Sequence, residues 1–275
     1  MATLSVIICV YNGDHDCHFK DALSSLLPGV DFISEVILVV NGEVSDFKRN
    51  TIDLFSKDLP IKPIFLESNI GLSRGLNIAI EQSSSDWLVR FDSDDICSKT
   101  RFNIISKAIN QYGSQYDVIG TFQEEFSNSS DFRSLRRVPL TYQQIKKRLI
   151  FRNPMNHVTV FFKRSLFDKY KEPTFYPSID YFEDYALWYK LLYGGAKFLN
   201  LSEITVFVRT GAEMLGRRGG LIYLLNEIKF RLFILKYIRK IYIPLNFLIT
   251  LFRLFAFLMP PFIKANIYKL IRRFA

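Results

Sequence analysis

Ser85-Asp86-Trp87-Leu88-Val89-Arg90-Phe91-Asp92-Ser93-Asp94-Asp95 decides how the rest of the chain is read. The apolar run from Trp87 to Phe91 has the length and composition of a buried strand, and it stops at three carboxylates, Asp92, Asp94 and Asp95. Carboxylates at the mouth of a buried strand repel one another and lose hydration, so they require a cation, a basic side chain or a set of amide donors. In an open α/β sheet, ligands bind outside the carboxyl ends of the strands. The expected compensation is therefore a hard divalent metal carrying a phosphorylated substrate. The competing reading is an acidic loop whose aspartates cap a helix beginning near Lys99.

Upstream of this stretch, three further runs have strand character: Leu4 to Val10, Glu35 to Val40 and Ile61 to Leu66. The first two are continuous and rich in β-branched residues, as in strands covered on both faces of a parallel sheet. Helical spacing follows each strand, at Phe19 to Leu27, around Phe47 to Phe55, and from Gly71-Leu72-Ser73-Arg74-Gly75 onward. Four β-α units in succession predict a doubly wound α/β sheet with its loops gathered along one edge. That edge suits a nucleotide: Tyr11 to stack on a base, Asn12 and Asn41 to bond it, and Asn69, Gly71 and Arg74 near ribose and phosphates. Neither a G-x-G-x-x-G nor a G-K-[ST] pattern is present, which disfavours a dinucleotide dehydrogenase or a P-loop NTPase.

Downstream, Arg101 to Tyr112 reads as a helix, Asp117 to Phe122 as a strand, and residues 124–140 as a polar stretch with a turn at Ser127-Asn128-Ser129-Ser130. A basic helix, Tyr142 to Phe151, then leads into Arg152-Asn153-Pro154-Met155-Asn156-His157 and a strand-like run, which reads as a binding loop on a rigid support. For His157, packing and an acid/base or ligand role both stay open. Glu183 and Asp184 fall in the first turn of an aromatic-faced helix. The helix dipole favours acids there, and an aspartate in such a cleft can also act as a general base on a hydroxyl. Arg209, Arg217 and Arg218, set among glycines, suit phosphate clamping.

The composition, 49% hydrophobic and 15% aromatic, argues against disorder. Cys9, Cys17 and Cys97 have no zinc-type spacing and read as reduced thiols, and the amino terminus has no basic leader. Charge divides the chain. Ten of the 36 Lys and Arg, but only one of the 27 acids, Glu227, lie from Leu221 onward, so this tail carries the whole net charge of +9. The preceding residues are neutral, which argues against nucleic acid as a partner. Within the tail, Tyr242 to Phe262 is apolar except for Arg253, with prolines at 244, 260 and 261. A spanning helix needs about 20 apolar residues, and a central Arg costs about 2.5–3.5 kcal/mol on insertion scales. The tail is expected to lie in the membrane interface, drawn to anionic lipid.

In order and approximate spacing, Ser5-Val6-Ile7-Ile8 with Val10-Tyr11-Asn12, Asn69-x-Gly71-Leu72 with Asn77, Asp92-Ser93-Asp94-Asp95, and Glu183-Asp184-Tyr185-x-x-Trp188 resemble family 2 glycosyltransferases of the GT-A fold. The likeness covers residues 3–220. The loop Arg152 to Val160 and the run Arg217-Arg218-Gly219-Gly220 resemble the bacterial O-antigen and exopolysaccharide (amylovoran-type) branch.

The resemblance implies a GT-A domain over residues 1–220, a basic, aromatic, helical membrane-associating tail over 221–275, and an inverting hexosyltransferase. Asp94 would coordinate Mn²⁺ or Mg²⁺ on the donor diphosphate, with Asp92 on ribose or metal water. Asp184 would be the base and Glu183 would orient acceptor or base. Tyr11, Asn12, Asn41, Asn69 and Arg74 would line the nucleotide-sugar pocket, although Asn41 stands where many relatives have Asp. Arg152, His157, Arg217 and Arg218 would meet the diphosphate or the acceptor. The implied partners are a UDP-sugar (galactose or glucose), a lipid-diphosphate-linked GlcNAc, and the cytoplasmic face of the bacterial inner membrane, where the protein would be peripheral. A nucleotidyltransferase and a membrane scaffold that binds nucleotide-sugar without turnover are the alternatives.

Overall fold

The computed structural model of the protein describes residues 2–127, 130–210, 220–238 and 240–258. Four strands open the sheet, β1 (Leu4–Val10), β2 (Glu35–Asn41), β3 (Ile61–Leu66) and β4 (Trp87–Arg90). They are parallel in the order β3-β2-β1-β4, with α1 (Asp16–Ser24), α2 (Asp46–Phe55) and α3 (Leu72–Glu81) as crossovers. Every residue of β1 and β2 is buried. Their apolar side chains alternate between two cores: Ile7, Cys9, Ile37 and Val39 enter one, while Val6, Ile8, Val10, Val36, Leu38 and Val40 enter the other. The strand β3 lies at the edge, half-exposed and carrying Pro63, a residue suited to an edge because it donates nothing to a ladder.

Beyond β4 the sheet becomes mixed. Chain order gives β5 (Ile96–Cys97), α4 (Arg101–Tyr112), β6 (Val118–Ser127), β7 (Ser130–Arg136), α5 (Tyr142–Leu149), β8 (Phe161–Lys163), α6 (Ser165–Tyr170), α7 (Glu183–Tyr193) and β9 (Phe198–Arg209). Strand β8 runs antiparallel between β4 and β6. β9 lies parallel to β6 and returns antiparallel to β5, so its end reaches the acidic loop. The polar stretch expected over 124–140 is largely strand, because β6 continues to Ser127 and pairs with β7 as an outlying hairpin. Its polar side chains disguise the extended backbone. Of the expected turn, Asn128 and Ser129 lie outside the described residues.

α7 is buried from Tyr185 to Leu192, which explains why it is apolar around most of its circumference. On it rests α8 (Leu221–Ile234), through Phe230 and Ile234, which belong to the main core together with Ile238 of the turn after the helix. Helix α9 (Ile243–Leu258), with Pro244 tolerated in its first turn, packs against α8. No helix among the described residues is long and apolar enough to cross a membrane.

Candidate active site

Because β1 to β4 are parallel, their carboxyl ends place Tyr11, Asn41, the Glu67–Gly71 loop and Asp92 along one edge. Gly13 packs beneath the Tyr11 ring, where a Cβ would stand 2.4 Å from Tyr11 Cε2. Asn12 and Asn69 are exposed, and Asn69 folds its own loop by accepting the Gly71 N–H at 2.9 Å. Arg74 projects from the first turn of α3 and is exposed. Asn41, expected to face a base, is 3% exposed, and its Oδ1 accepts the Ile70 N–H at 2.9 Å. It therefore lies beneath the loop and holds it up. Gly42 makes the same approach possible: its φ is +88°, and a Cβ would come within 2.8 Å of the Asn69 nitrogen.

At the acidic stretch, Asp92 receives a guanidinium nitrogen of Arg90, which also donates to the Phe91 carbonyl. Burial opposes the Arg90 charge, but the Asp92 carboxylate outweighs it and holds the guanidinium above its ordinary value. Arg101, equally buried, donates to the carbonyls of Arg90 at 2.7 Å and Val158 at 2.9 Å. Asp95 is buried. Its carboxylate accepts the Arg209 N–H at 2.9 Å, while Arg209 Nε donates to the Asp94 carbonyl at 2.8 Å and Nη2 reaches Asp21 at 2.7 Å. Arg209, grouped with the clamp arginines on sequence, is thus a strut for the acidic loop. Helix α4 begins only after β5, with Thr100 at its cap, so the cluster is not its cap.

Burial, followed by the charges of Asp92 and Asp94, holds Asp95 well above the usual carboxylate range. Asp14 is raised for the same first reason, against hydrogen bonds from Ser93 at 2.6 Å and the Tyr11 N–H at 3.1 Å. Four carboxylates, Asp14, Asp92, Asp94 and Asp95, crowd this edge, and hard oxygen donors of this kind fit a divalent cation. Among the described residues no three side chains close around an ion. Asp94 and Asp92 would hold one jointly with substrate phosphates, the usual arrangement for Mg²⁺.

Glu183 and Asp184 open α7, where the helix dipole favours them. Asn153 Nδ2 donates to Asp184 Oδ2 at 2.6 Å, and the Tyr185 N–H donates to Oδ1 at 2.7 Å. Glu183 differs. Burial, then the neighbouring Asp184 charge, pushes its carboxyl up to about 8, and its Oε2 is buried without a hydrogen-bond partner. Its surroundings favour the protonated form near neutral pH.

The two groups of acids meet around Arg90 and Tyr176. Burial raises the Tyr176 phenol well above its ordinary value; Arg90 opposes this, while Asp184, Glu183 and Asp92 add to it. His157 Nε2 bonds the Tyr176 hydroxyl at 2.9 Å, and its ring packs edge-on against Trp188. Burial, reinforced by Arg90, keeps this imidazole well below its ordinary value, which favours its neutral form. Asn77 makes two bonds with the Tyr176 backbone, at 2.8 and 3.2 Å, and so fixes the loop before α7. Arg152 lies half-buried beside Asn153. Arg217 and Arg218 lie outside the described residues.

Arg90 and Tyr176 are candidate site residues that sequence reasoning left aside, and Asn153 was read only as part of the Arg152–His157 loop, without its partner. For Arg90 a signal existed, a lone cation inside an apolar strand next to three acids, since buried charges are paired. Asn153 and Tyr176 are ordinary loop residues until folding brings them to Asp184 and His157.

Residues 5–171 match the profile described as Glycosyl transferase family 2. The chain belongs to this family. It is 33% identical over 274 residues to UDP-Gal:alpha-D-GlcNAc-diphosphoundecaprenol beta-1,3-galactosyltransferase of Escherichia coli, covering 98% of this chain and 97% of that relative. It is 32% identical over 227 residues to amylovoran biosynthesis glycosyltransferase AmsE of Erwinia amylovora, covering 82% of this chain and 83% of AmsE. Among solved structures, S. aureus TarS 1-349 in complex with UDP-GlcNAc superposes with a TM-score of 0.65 at 18% identity, covering 90% of this chain and 70% of that one. The Pyrobaculum calidifontis mannosyltransferase PcManGT, in complex with GDP-Man and Mn2+, superposes with a TM-score of 0.64 at 12% identity, covering 90% and 69%. This family 2 glycosyltransferase therefore has the GT-A fold that its motifs imply.

Proposed function

We propose that this glycosyltransferase is an inverting, metal-dependent hexosyltransferase. It moves galactose or glucose from a UDP-sugar to a GlcNAc linked through diphosphate to a lipid, in O-antigen or exopolysaccharide repeat-unit synthesis. The observation that carries the reading is the reach of the likeness to the E. coli galactosyltransferase, 33% identity across 98% of this chain, tail included. The geometry supports it. One edge offers a ring, exposed amides and carboxylates suited to a nucleotide diphosphate, and the charges of Arg90, Asp92, Glu183 and Asp184 all act on Tyr176, which puts that edge near the opening turn of α7.

In this reading UDP lies along the carboxyl edge, with its base on Tyr11 and its ribose near Asp92. Asp184, aimed by Asn153 and the Tyr185 N–H, takes the proton from the acceptor hydroxyl as that oxygen attacks the anomeric carbon opposite the departing diphosphate. One displacement inverts the centre. Mn²⁺ or Mg²⁺ on Asp94 and Asp92 would offset the charge that develops on the leaving UDP. Glu183 donates a hydrogen bond from its protonated carboxyl to the acceptor sugar, which gives its unpartnered Oε2 a use. Arg152, with Arg217 and Arg218, meets a diphosphate, and the tail holds the enzyme peripherally at the cytoplasmic face of the inner membrane.

The test is transfer from a panel of UDP-sugars to a synthetic GlcNAc-diphosphate-lipid, with Mn²⁺ and with EDTA. A product formed from one donor and abolished by EDTA is expected. Undiminished turnover in EDTA removes the metal from the reading. Binding of UDP with no transfer from any donor removes the acceptor, or makes the chain a nucleotide-sugar binder.

A further inference from the structure

The tail helices turn apolar stripes to solvent. On α8 and the turn after it, Leu221, Ile222, Leu225, Lys229, Leu232 and Lys236 follow helical spacing and are all exposed. On α9, Phe247, Leu248, Leu251, Phe252 and Phe255 do the same. The single acid of the tail is turned the other way. Glu227 is buried between Arg231 and Arg253, 2.9 Å from each, so the tail's outward charge among the described residues is cationic.

Two exposed aromatic residues of the catalytic domain are attached to this pair of helices. Phe151 is 51% exposed, and its carbonyl accepts from Arg253 Nη2 at 3.5 Å. Two residues later comes Asn153, which holds Asp184. Tyr181 is 46% exposed, lies three residues before Asp184, and packs on Tyr223 of α8 with ring centroids 5.4 Å apart. Its φ of +69° is uncommon for a residue with a side chain. Both segments that deliver groups to the base thus carry an exposed ring.

We propose that Phe151 and Tyr181 enter the bilayer together with the outer stripes of α8 and α9, so that an anionic membrane surface meets the catalytic domain at the acceptor side of Asp184. The occupant is a bilayer because the exposed side chains are aliphatic, aromatic or cationic. Apolar side chains of an interfacial helix sink about 5–10 Å to the headgroup boundary, and flanking lysines stay at anionic headgroups. Seated in this way, the base opens at the height where the sugar of a lipid-linked acceptor emerges. The proposal rests on the lipid-linked acceptor put forward above.

The experiment places single tryptophans in the full chain, Phe151→Trp, Tyr181→Trp and Phe252→Trp, with Phe65→Trp on the edge strand β3 as the reference, since Phe65 is exposed at 53%. Each variant is mixed with phosphatidylcholine vesicles bearing brominated acyl chains, with and without phosphatidylglycerol. The buried Trp87 and Trp188 supply a constant background. The new emission at 151 and 181 is expected to be quenched as fully as at 252, only when the anionic lipid is present, and Phe65→Trp is expected to be untouched. Quenching at 252 alone would overturn the proposal in favour of a tail that tethers a domain held off the membrane. Absence of vesicle binding would overturn it in favour of a protein partner on the same stripes. No donor or acceptor takes part, so a failed transfer assay and a failed quenching assay are separate results.

Discussion

Asp184 and Glu183 are adjacent on one helical turn, yet their surroundings differ: Asp184 accepts from Asn153 and from the Tyr185 N–H, whereas burial raises the Glu183 carboxyl. Asp184→Asn preserves shape and removes basicity. Turnover is expected to fall by about 10²–10⁴-fold, the usual worth of a general base, while UDP binding measured by calorimetry is unchanged. Glu183→Gln imitates the neutral acid and is expected to keep most of the activity at pH 7. With the carboxyl near 8, wild-type kcat falls as pH rises past that value, and the glutamine variant loses this limb. Stability follows the same sign. A carboxyl raised from 4.5 to about 8 stabilises the fold fully below pH 4.5, and that contribution is lost as pH climbs toward 8. Melting curves should show Glu183→Gln gaining on the wild type across this window and matching it at pH 4.

At the scale of elements, the catalytic turn is held from the tail. Phe230 of α8 stacks on Phe182 with centroids 5.2 Å apart and packs at a tilt on Tyr185 at 4.5 Å, the residues on either side of Glu183 and Asp184. Phe230→Ala removes a fully buried ring and is expected to cost about 3–5 kcal/mol in denaturant titration, with a loss of kcat beyond what the folded fraction explains. Such contacts mark where sequence reading reaches its limit. The β-α units and the acidic edge were legible, because continuous β-branched runs and an abrupt stop at Asp92 each have one physical explanation. The partners of Asn153, Tyr176 and Arg209 were not, since nothing local tells which group a loop amide or a strand-end arginine meets after folding. β7 was hidden by its polar surface. The composition break at Leu221 was plain, but not that α8 would supply core residues, because a helix that is apolar all round reads alike whether protein or lipid covers it.

The molecule as a whole separates charge from chemistry. Residues 1–220 are neutral in sum, and the excess of +9 sits on the segment whose apolar stripes lie open. Internal pairing of Glu227 sharpens this, since it takes the one acid of the tail out of the outward field. Two forces then act at different ranges. In the proposed membrane seating, cations on the surface draw the enzyme to anionic lipid over a screening length of about 8 Å at physiological salt and about 3 Å at 1 M, whereas the phenylalanines and leucines act only on contact. Salt added before vesicles are mixed in is therefore expected to lower the association rate and the apparent affinity for phosphatidylglycerol vesicles. Salt added afterwards is expected to strip off only part of the bound protein, because the inserted apolar side chains are not screened. Co-sedimentation at low and at ~1 M salt, in both orders of addition, measures this. Complete release by salt would leave a purely electrostatic contact, and binding indifferent to salt would leave the positive tail without a role at the membrane.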